Sequence, residues 1–337
     1  QYQIGLRFSD EENPKIFDVN AYQWGNARIS VTDTANTLLF YSRRPENGSQ
    51  DEIELVNGNY NVISNGRIAS YTDGDALTAF PFTDGSSKYH VFTIDWNLDL
   101  LHHVVDMSNE SGNVIIKNQL IFADTLIYGM CAVRHANGND WWVITHKARS
   151  FIFALFRINN DKITGPFFQK VGHSVWSETG IDYPGWGFVT SMRMDVNTAG
   201  NNIYISTQQG LHEIFNFDRI SGVITPKAHF DQRKIISDRQ NGYSGGVFSN
   251  DGQLAYKLTS DSLIQFDISK VNNNKMVIYV DDSDRPPLYS WQCDMKRASN
   301  GNIYIGRFRS VIDVGTLISD TNSNYLGVIH DPNKRDA

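Results

Sequence analysis

"RHANGNDWWVITH", Arg134 to His146, packs two histidines, an aspartate and two tryptophans into one short stretch. It reads either as a metal or catalytic site or as one hairpin of a repeating structure. Asn137-Gly138 is a turn dipeptide between two β-prone runs, which favours the hairpin. With the turn centred there, residues pair where their numbers sum to 275. His135 then faces Asp140 beside the turn, and His146 faces Gly129 at the far end. Six residues of strand separate the histidines by about 20 Å. Zinc–nitrogen bonds are about 2 Å, so no single ion spans His135, Asp140 and His146. Trp141 and Trp142 point to opposite faces of their strand, as core residues of a sheet buried on both sides.

The same plan recurs in "RISVTDTANTLLFYS", "LTAFPFTDGSSKYHVFT", "SMRMDVNTAGNNIYIS", "GGVFSNDGQLAYKL" and "CDMKRASNGNIYIG". The turn residues suited to positive φ fall at Asn36, Gly85, Gly138, Gly200, Gly252 and Gly301, at intervals of 49, 53, 62, 52 and 49. A repeat of about 50 residues built from strands predicts a β-propeller and not a helical solenoid. Further strand-like runs follow each hairpin, such as "FIFALFRI" and "ITGPFFQKV", giving four-stranded antiparallel blades. The expected fold is all-β: one propeller domain over residues 1–337 with seven blades, six being the alternative. Residues 1–24 are expected to pair with the C-terminal strands and close the ring, which removes free sheet edges.

The chain carries 30 basic and 37 acidic residues, a net charge of -7. That balance excludes nucleic acid and anionic membrane as main partners, because both require a concentrated basic surface. No apolar run reaches the roughly 20 residues of a membrane span. Beginning at Gln1 without a leader, the chain reads as a mature secreted protein. Cys131 and Cys293 fall in the first strands of the third and sixth blades. Those blades are not neighbours, so two buried thiols are expected and no disulfide.

"GLRFSDEENP", "VTDTANTLLFYSR", "YNVISNGRI", "HANGNDWWVITHKARSFIFALF", "GVFSNDGQLAY", "ASNGNIYIGR" and "NYLGVIHDPN" lie in this order along nearly the whole chain. In that order they resemble secreted propeller domains of Bacteroidota from gliding-motility-associated and type IX secretion-associated proteins. The resemblance implies an extracellular or outer-membrane-surface module (the periplasm being the other placement) with no catalytic residues to carry over. Its partner would be a protein of the cell surface or of the secretion and motility apparatus, and no cofactor is implied.

Enzyme signatures are missing: no GxSxG elbow, no HExxH and no sialidase-type Asp box. Carboxylates at Asp95, Asp106, Asp195 and Asp294 are spread over several blades, where a pair could converge in a channel as acid and base. Long aromatic loops stand out more. Residues 171–188 carry Trp176, Tyr183 and Trp186, and 281–291 carry Arg285, Tyr289 and Trp291. A third segment, "RFRSVIDVGTLISDTNSN", reads as an insertion between the middle strands of the last full blade. Trp, Tyr and Arg dominate binding hot spots, so those six residues are the expected binding site. The resulting expectation is a non-enzymatic protein–protein interaction or adhesion module. A glycan-binding propeller, or a propeller hydrolase or lyase with channel carboxylates, is the alternative.

Overall fold

The computed structural model describes residues 4–7, 15–18, 29–35, 37–45, 51–71, 76–160, 162–173, 192–207, 211–231, 245–258, 262–270, 275–280, 293–298, 300–307, 311–313, 316–318 and 325–335. All its regular elements are strands, and among the described residues no helix is long and apolar enough to cross a membrane. The chain clusters into two compact units. One is Gln1–Lys170 with Arg219–Gly222, the other Val171–Asp218 with Val223–Ala337.

In the first unit, β1 (Ile4–Arg7) pairs with β2 (Lys15–Asp18). β3 (Ser30–Thr32), β4 (Leu38–Arg43), β5 (Glu52–Asn57) and β6 (Val62–Ala69) form one antiparallel meander. β7 (Leu77–Pro81), β8 (Lys88–Ile94), β9 (Leu100–Asp106) and β10 (Asn113–Phe122) form the next. A parallel contact between β6 and β10 joins these two meanders along their outer strands. β11 (Leu126–Arg134), β12 (Trp141–Lys147), β13 (Ile152–Ile158) and β14 (Ile163–Lys170) make the third.

In the second unit, β15 (Met192–Val196), β16 (Asn202–Thr207), β17 (Leu211–Phe217) and β18 (Ile224–Asp231) form a four-stranded sheet. So do β19 (Gly246–Phe248), β20 (Leu254–Leu258), β21 (Ser262–Asp267) and β22 (Lys275–Val280). β23 (Cys293–Arg297), β24 (Ile303–Arg307) and β27 (Tyr325–Ile329) make a three-stranded one. The hairpin of β25 (Val311–Asp313) and β26 (Thr316–Ile318) is inserted between β24 and β27, where the sequence placed an insertion. Successive four-stranded antiparallel meanders of this kind are the blades of a β-propeller.

The hairpins follow the turn chemistry read from sequence. Gly85, Gly138, Gly200, Gly252 and Gly301 all have φ between 68° and 88°; Asn36 lies outside the described residues. In four turns the glycine N–H closes onto the carbonyl three residues back, at His135, Asn197, Ser249 and Ala298. The β11–β12 register runs from Arg134↔Trp141 to Met130↔Thr145, the predicted pairing, before a bulge shifts it.

Burial explains why the middle strands look unlike the outer ones. β12, β13, β16 and β17 are buried at nearly every position, whereas β10 and β14 are largely exposed. A strand with a packed sheet on each face has no solvent side, so its sequence is a continuous apolar run. Phe40, Leu55, Ile68, Val91 and Val105 share one core cluster in the first unit, and Val247, Tyr256, Met295 and Ile303 share one in the second. Each such side chain contributes about 1.5–3 kcal/mol by leaving water. A polar group in a middle strand therefore stands out against this background.

Candidate functional site

The opening stretch is structural. His135 Nδ1 accepts a hydrogen bond from the Asn137 N–H at 3.0 Å. At equivalent turns Asn197 and Ser249 instead brace across the turn, where Asn197 Oδ1 accepts from Asn202 N–H at 2.9 Å and Ser249 Oγ from Leu254 N–H at 3.0 Å. Asp140 is taken by Arg157, at 2.5 Å. His146 donates Nδ1–H to the Lys147 carbonyl at 2.7 Å and packs edge-on against Phe153. Trp141 stacks on Phe80 while Trp142, buried, donates Nε1–H to the Arg219 carbonyl at 3.0 Å.

The other candidates from sequence do not come together. Asp95 and Asp106 cap their own turns, through Asp99 N–H at 3.0 Å and Ser108 N–H at 2.8 Å. Asp195 accepts from Phe248 N–H at 2.8 Å and lies 3.9 Å from Arg297, which ties adjacent first strands of the second unit. Burial raises its carboxyl pKa and Arg297 lowers it. The side chains of Asp294 and Cys293 lie outside the described residues, as do Trp176, Tyr183, Trp186, Arg285, Tyr289 and Trp291; Cys131 is buried.

Two buried polar groups interrupt the apolar run of β17, "LHEIFNF": His212 and Glu213. Being consecutive, they point to opposite faces. On one face, His212 Nδ1 lies 3.0 Å from the Tyr204 hydroxyl, and both residues are buried. Its Nε2 has no hydrogen-bond partner among the described residues. Burial and then the Lys257 charge hold its pKa well below the ordinary value. Gly246 of β19 lies against Tyr204, where a Cβ would come within 2.5 Å of the ring. Buried Arg193, Ser206 and Lys257 lie on β15, β16 and β20.

On the other face, the Glu213 side chain is 3% exposed, and its carboxylate receives two donors from one residue. The His173 backbone N–H reaches it at 3.2 Å and His173 Nδ1 at 2.6 Å. Burying a carboxylate is unfavourable by several kcal/mol unless charge-assisted hydrogen bonds offset it, and these do. Gly172 makes the approach possible. Its φ is +83°, and a Cβ there would sit 2.8 Å from the Phe215 ring and 2.9 Å from Glu213 Oε2. The His173 side chain is 48% exposed, and the exposed ring of His229 lies 4.7 Å away. His229 is the cross-strand partner of Glu213, which accounts for the meeting. In its neutral form, an imidazole that gives Nδ1–H to a carboxylate presents an Nε2 lone pair, the arrangement of a general base with its orienting acid.

Sequence reading missed this set. Gly172 and His173 fell inside the 171–188 loop, which drew notice for its aromatics. The available signal was a glutamate in a strand that should be apolar on both faces.

A third set, in the first unit, is closed. His90 Nδ1 meets His102 Nε2 at 2.9 Å, and His102 Nδ1 meets Gln119 Oε1 at 3.2 Å. His103 accepts from Asn118 N–H at 3.0 Å and bonds Thr93 Oγ1 at 2.9 Å, and Thr93 donates to the Ala69 carbonyl at 2.7 Å. Burial depresses the pKa of His90 and of His103 to about 3.

No protein-family model matches the chain, and no curated protein matches it. Solved structures do. One from Bacteroides fragilis, provisionally assigned as a 6-phosphogluconolactonase, aligns at TM-score 0.55 and 15% identity over 98% of this chain and 93% of its own. The periplasmic gluconolactonase PpgL of Pseudomonas aeruginosa aligns at 0.54 and 10% over 98% and 99%. A Bacteroides uniformis structure, also provisionally assigned as a 6-phosphogluconolactonase, aligns at 0.51 and 12% over 93% and 91%. At these identities the likeness shows a common fold. Their names give no support to an association with gliding motility or type IX secretion. They overturn the expectation of a non-enzymatic interaction or adhesion module, because structures sharing this fold along nearly the whole chain bear the names of enzymes. The expectation of no enzyme rests on missing sequence motifs and on a resemblance with no catalytic residues to carry over, and a site assembled from separate segments leaves no such motif.

Proposed function

We propose that the chain is a propeller hydrolase acting on cyclic esters of sugar acids, with His173 as its general base and Glu213 as the group that orients it. The observation that carries this is the buried Glu213 carboxylate holding Nδ1 of a half-exposed histidine at 2.6 Å. The lactonase names of the fold relatives supply the substrate class.

The chemistry follows from the dyad. His173 Nε2 takes a proton from water as its oxygen attacks the lactone carbonyl carbon. The carbonyl becomes a tetrahedral oxyanion. When it collapses, the ring C–O bond breaks, and the imidazolium returns its proton to the departing alkoxide oxygen. One water is consumed and the open-chain hydroxy acid forms. The Glu213 carboxylate stabilises the imidazolium between these two transfers, and such proton handling contributes about 10²–10⁴-fold in rate.

The proposal includes a location outside the cytoplasm, in the periplasm or beyond. The word periplasmic in one relative's name and the resemblance to secreted propellers support that placement.

Lactones hydrolyse unaided, so the test is acid release above the spontaneous rate. A pH-stat titration with glucono-δ-lactone and its 6-phosphate is expected to show catalysis that scales with protein concentration. No acceleration with either, or with other aldonolactones, overturns the proposal.

A further inference from the structure

The chain has nine histidines, all at described positions. Six of them (His90, His102, His103, His135, His146 and His212) are at most 5% exposed. The exposed ones are His173, His229 and His330. Two of those three meet, with ring centroids 4.7 Å apart and planes inclined at 38°. One of the two has its Nδ1 held by a buried carboxylate.

We infer that His173 and His229 form a binding site for a divalent transition-metal ion such as Zn²⁺, with Glu213 orienting the first ligand. Imidazole suits zinc and copper, and a ligating histidine commonly gives its other ring N–H to a carboxylate, which fixes the tautomer and raises ligand basicity. Glu213 does this for His173, leaving Nε2 as the metal-facing atom. Two nitrogens on one tetrahedral zinc lie about 3.3 Å apart, given bonds of about 2.0–2.1 Å. The two exposed residues already stand with ring centroids 4.7 Å apart, and with His173 held by Glu213 the adjustment falls to the His229 side chain. The backbone contributes rigidity on both sides. His229 is fixed opposite Glu213 in the β17–β18 ladder, and His173 is fixed by its own N–H on the same carboxylate. Among the described residues no three His, Cys, Asp or Glu side chains converge as ligands, so this is a two-imidazole site whose other positions go to water or substrate oxygen.

Metal and proton compete for one lone pair. If His173 is the base of the proposed hydrolase, on which this consequence rests, a bound ion blocks proton transfer and the metal acts as an inhibitor. Metal binding itself does not depend on that activity.

The test is calorimetric titration of the untagged full chain with ZnCl₂. One ion per chain is expected. His173→Ala and His229→Ala should each weaken binding at least tenfold, and Glu213→Gln about tenfold or more, the usual range for an orienting group. His330→Ala, at the remaining exposed histidine, should leave it unchanged. The mutated histidines are exposed, so the fold survives; circular dichroism checks this. Absence of zinc binding, or binding indifferent to both His173→Ala and His229→Ala, overturns the inference. Zinc binding without lactone hydrolysis upholds the metal site and removes the hydrolase reading; hydrolysis without zinc binding does the reverse.

Discussion

Two histidine-bearing clusters, one in each compact unit, differ in what is left over. The β8–β9 cluster uses both ring nitrogens of His102 and His103 in bonds to protein groups, and none of His90, His102 and His103 is more than 4% exposed. The cluster at β17 commits one nitrogen of His173 to a carboxylate and exposes the rest of the ring. Polar groups that satisfy one another inside a sheet stack specify a core. A polar group oriented by a buried partner and open to water can do chemistry. The more conspicuous sequence, "LLHHVVD", is the structural one.

Reciprocal substitution breaks or sharpens this comparison. His173→Ala should lower lactone hydrolysis by about 10²–10⁴-fold with only a small fall in melting temperature, because the backbone N–H of residue 173 still bonds the Glu213 carboxylate. Matched activity and thermal-melting measurements check both halves. His103→Ala should do the opposite. Removing it strands Thr93 and the Asn118 N–H and opens a cavity, at about 2–4 kcal/mol of stability, with activity per folded molecule retained. Urea unfolding measures that loss. If His103→Ala abolished hydrolysis in folded protein, the division of roles would be wrong.

A smaller effect is expected at Gly172. Replacing it with alanine strains a left-handed φ and pushes on Phe215 and Glu213, so His173 shifts and hydrolysis falls about tenfold, or about 1.4 kcal/mol in barrier. Steady-state kinetics on the folded variant report it.

The smallest is a pH effect on stability. His90 and His103 have folded pKa values of about 3, below the 6.5 of an unfolded chain. As pH falls through 6.5 the unfolded state takes up protons first. Their stabilisation is therefore full above pH 6.5 and is lost progressively toward pH 3. From pH 6.5 to 5.5 each contributes a loss of about 1 kcal/mol, which melting curves across that window would show. His103→Ala should flatten the slope.

The fold was legible because its signals are local. A glycine at positive φ, an Asn-rich turn and alternating β-prone runs determine each hairpin within about 15 residues, and the β11–β12 register followed from Asn137-Gly138 alone. The site was not legible, because His173 and Glu213 stand 40 residues apart in sequence and meet only through the packing of a loop onto a middle strand. Glu213 in "LHEIFNF" was visible as an anomaly, yet His102 and His103 in "LLHHVVD" are the same kind of anomaly. Which one faces water depends on what lies over each strand, and no spacing rule encodes that. Aromatic content drew the sequence reading to Trp176, Tyr183, Trp186, Arg285, Tyr289 and Trp291, which lie outside the described residues.

The central claim is that the His173 imidazole transfers the proton, and chemical rescue tests it most directly. His173→Ala protein would be assayed for lactone hydrolysis with and without added imidazole, after subtracting the buffer reaction. The prediction is a variant reduced at least a hundredfold, with protein-dependent rate restored in proportion to free imidazole base. A variant that hydrolyses the lactone as fast as the native chain contradicts the claim.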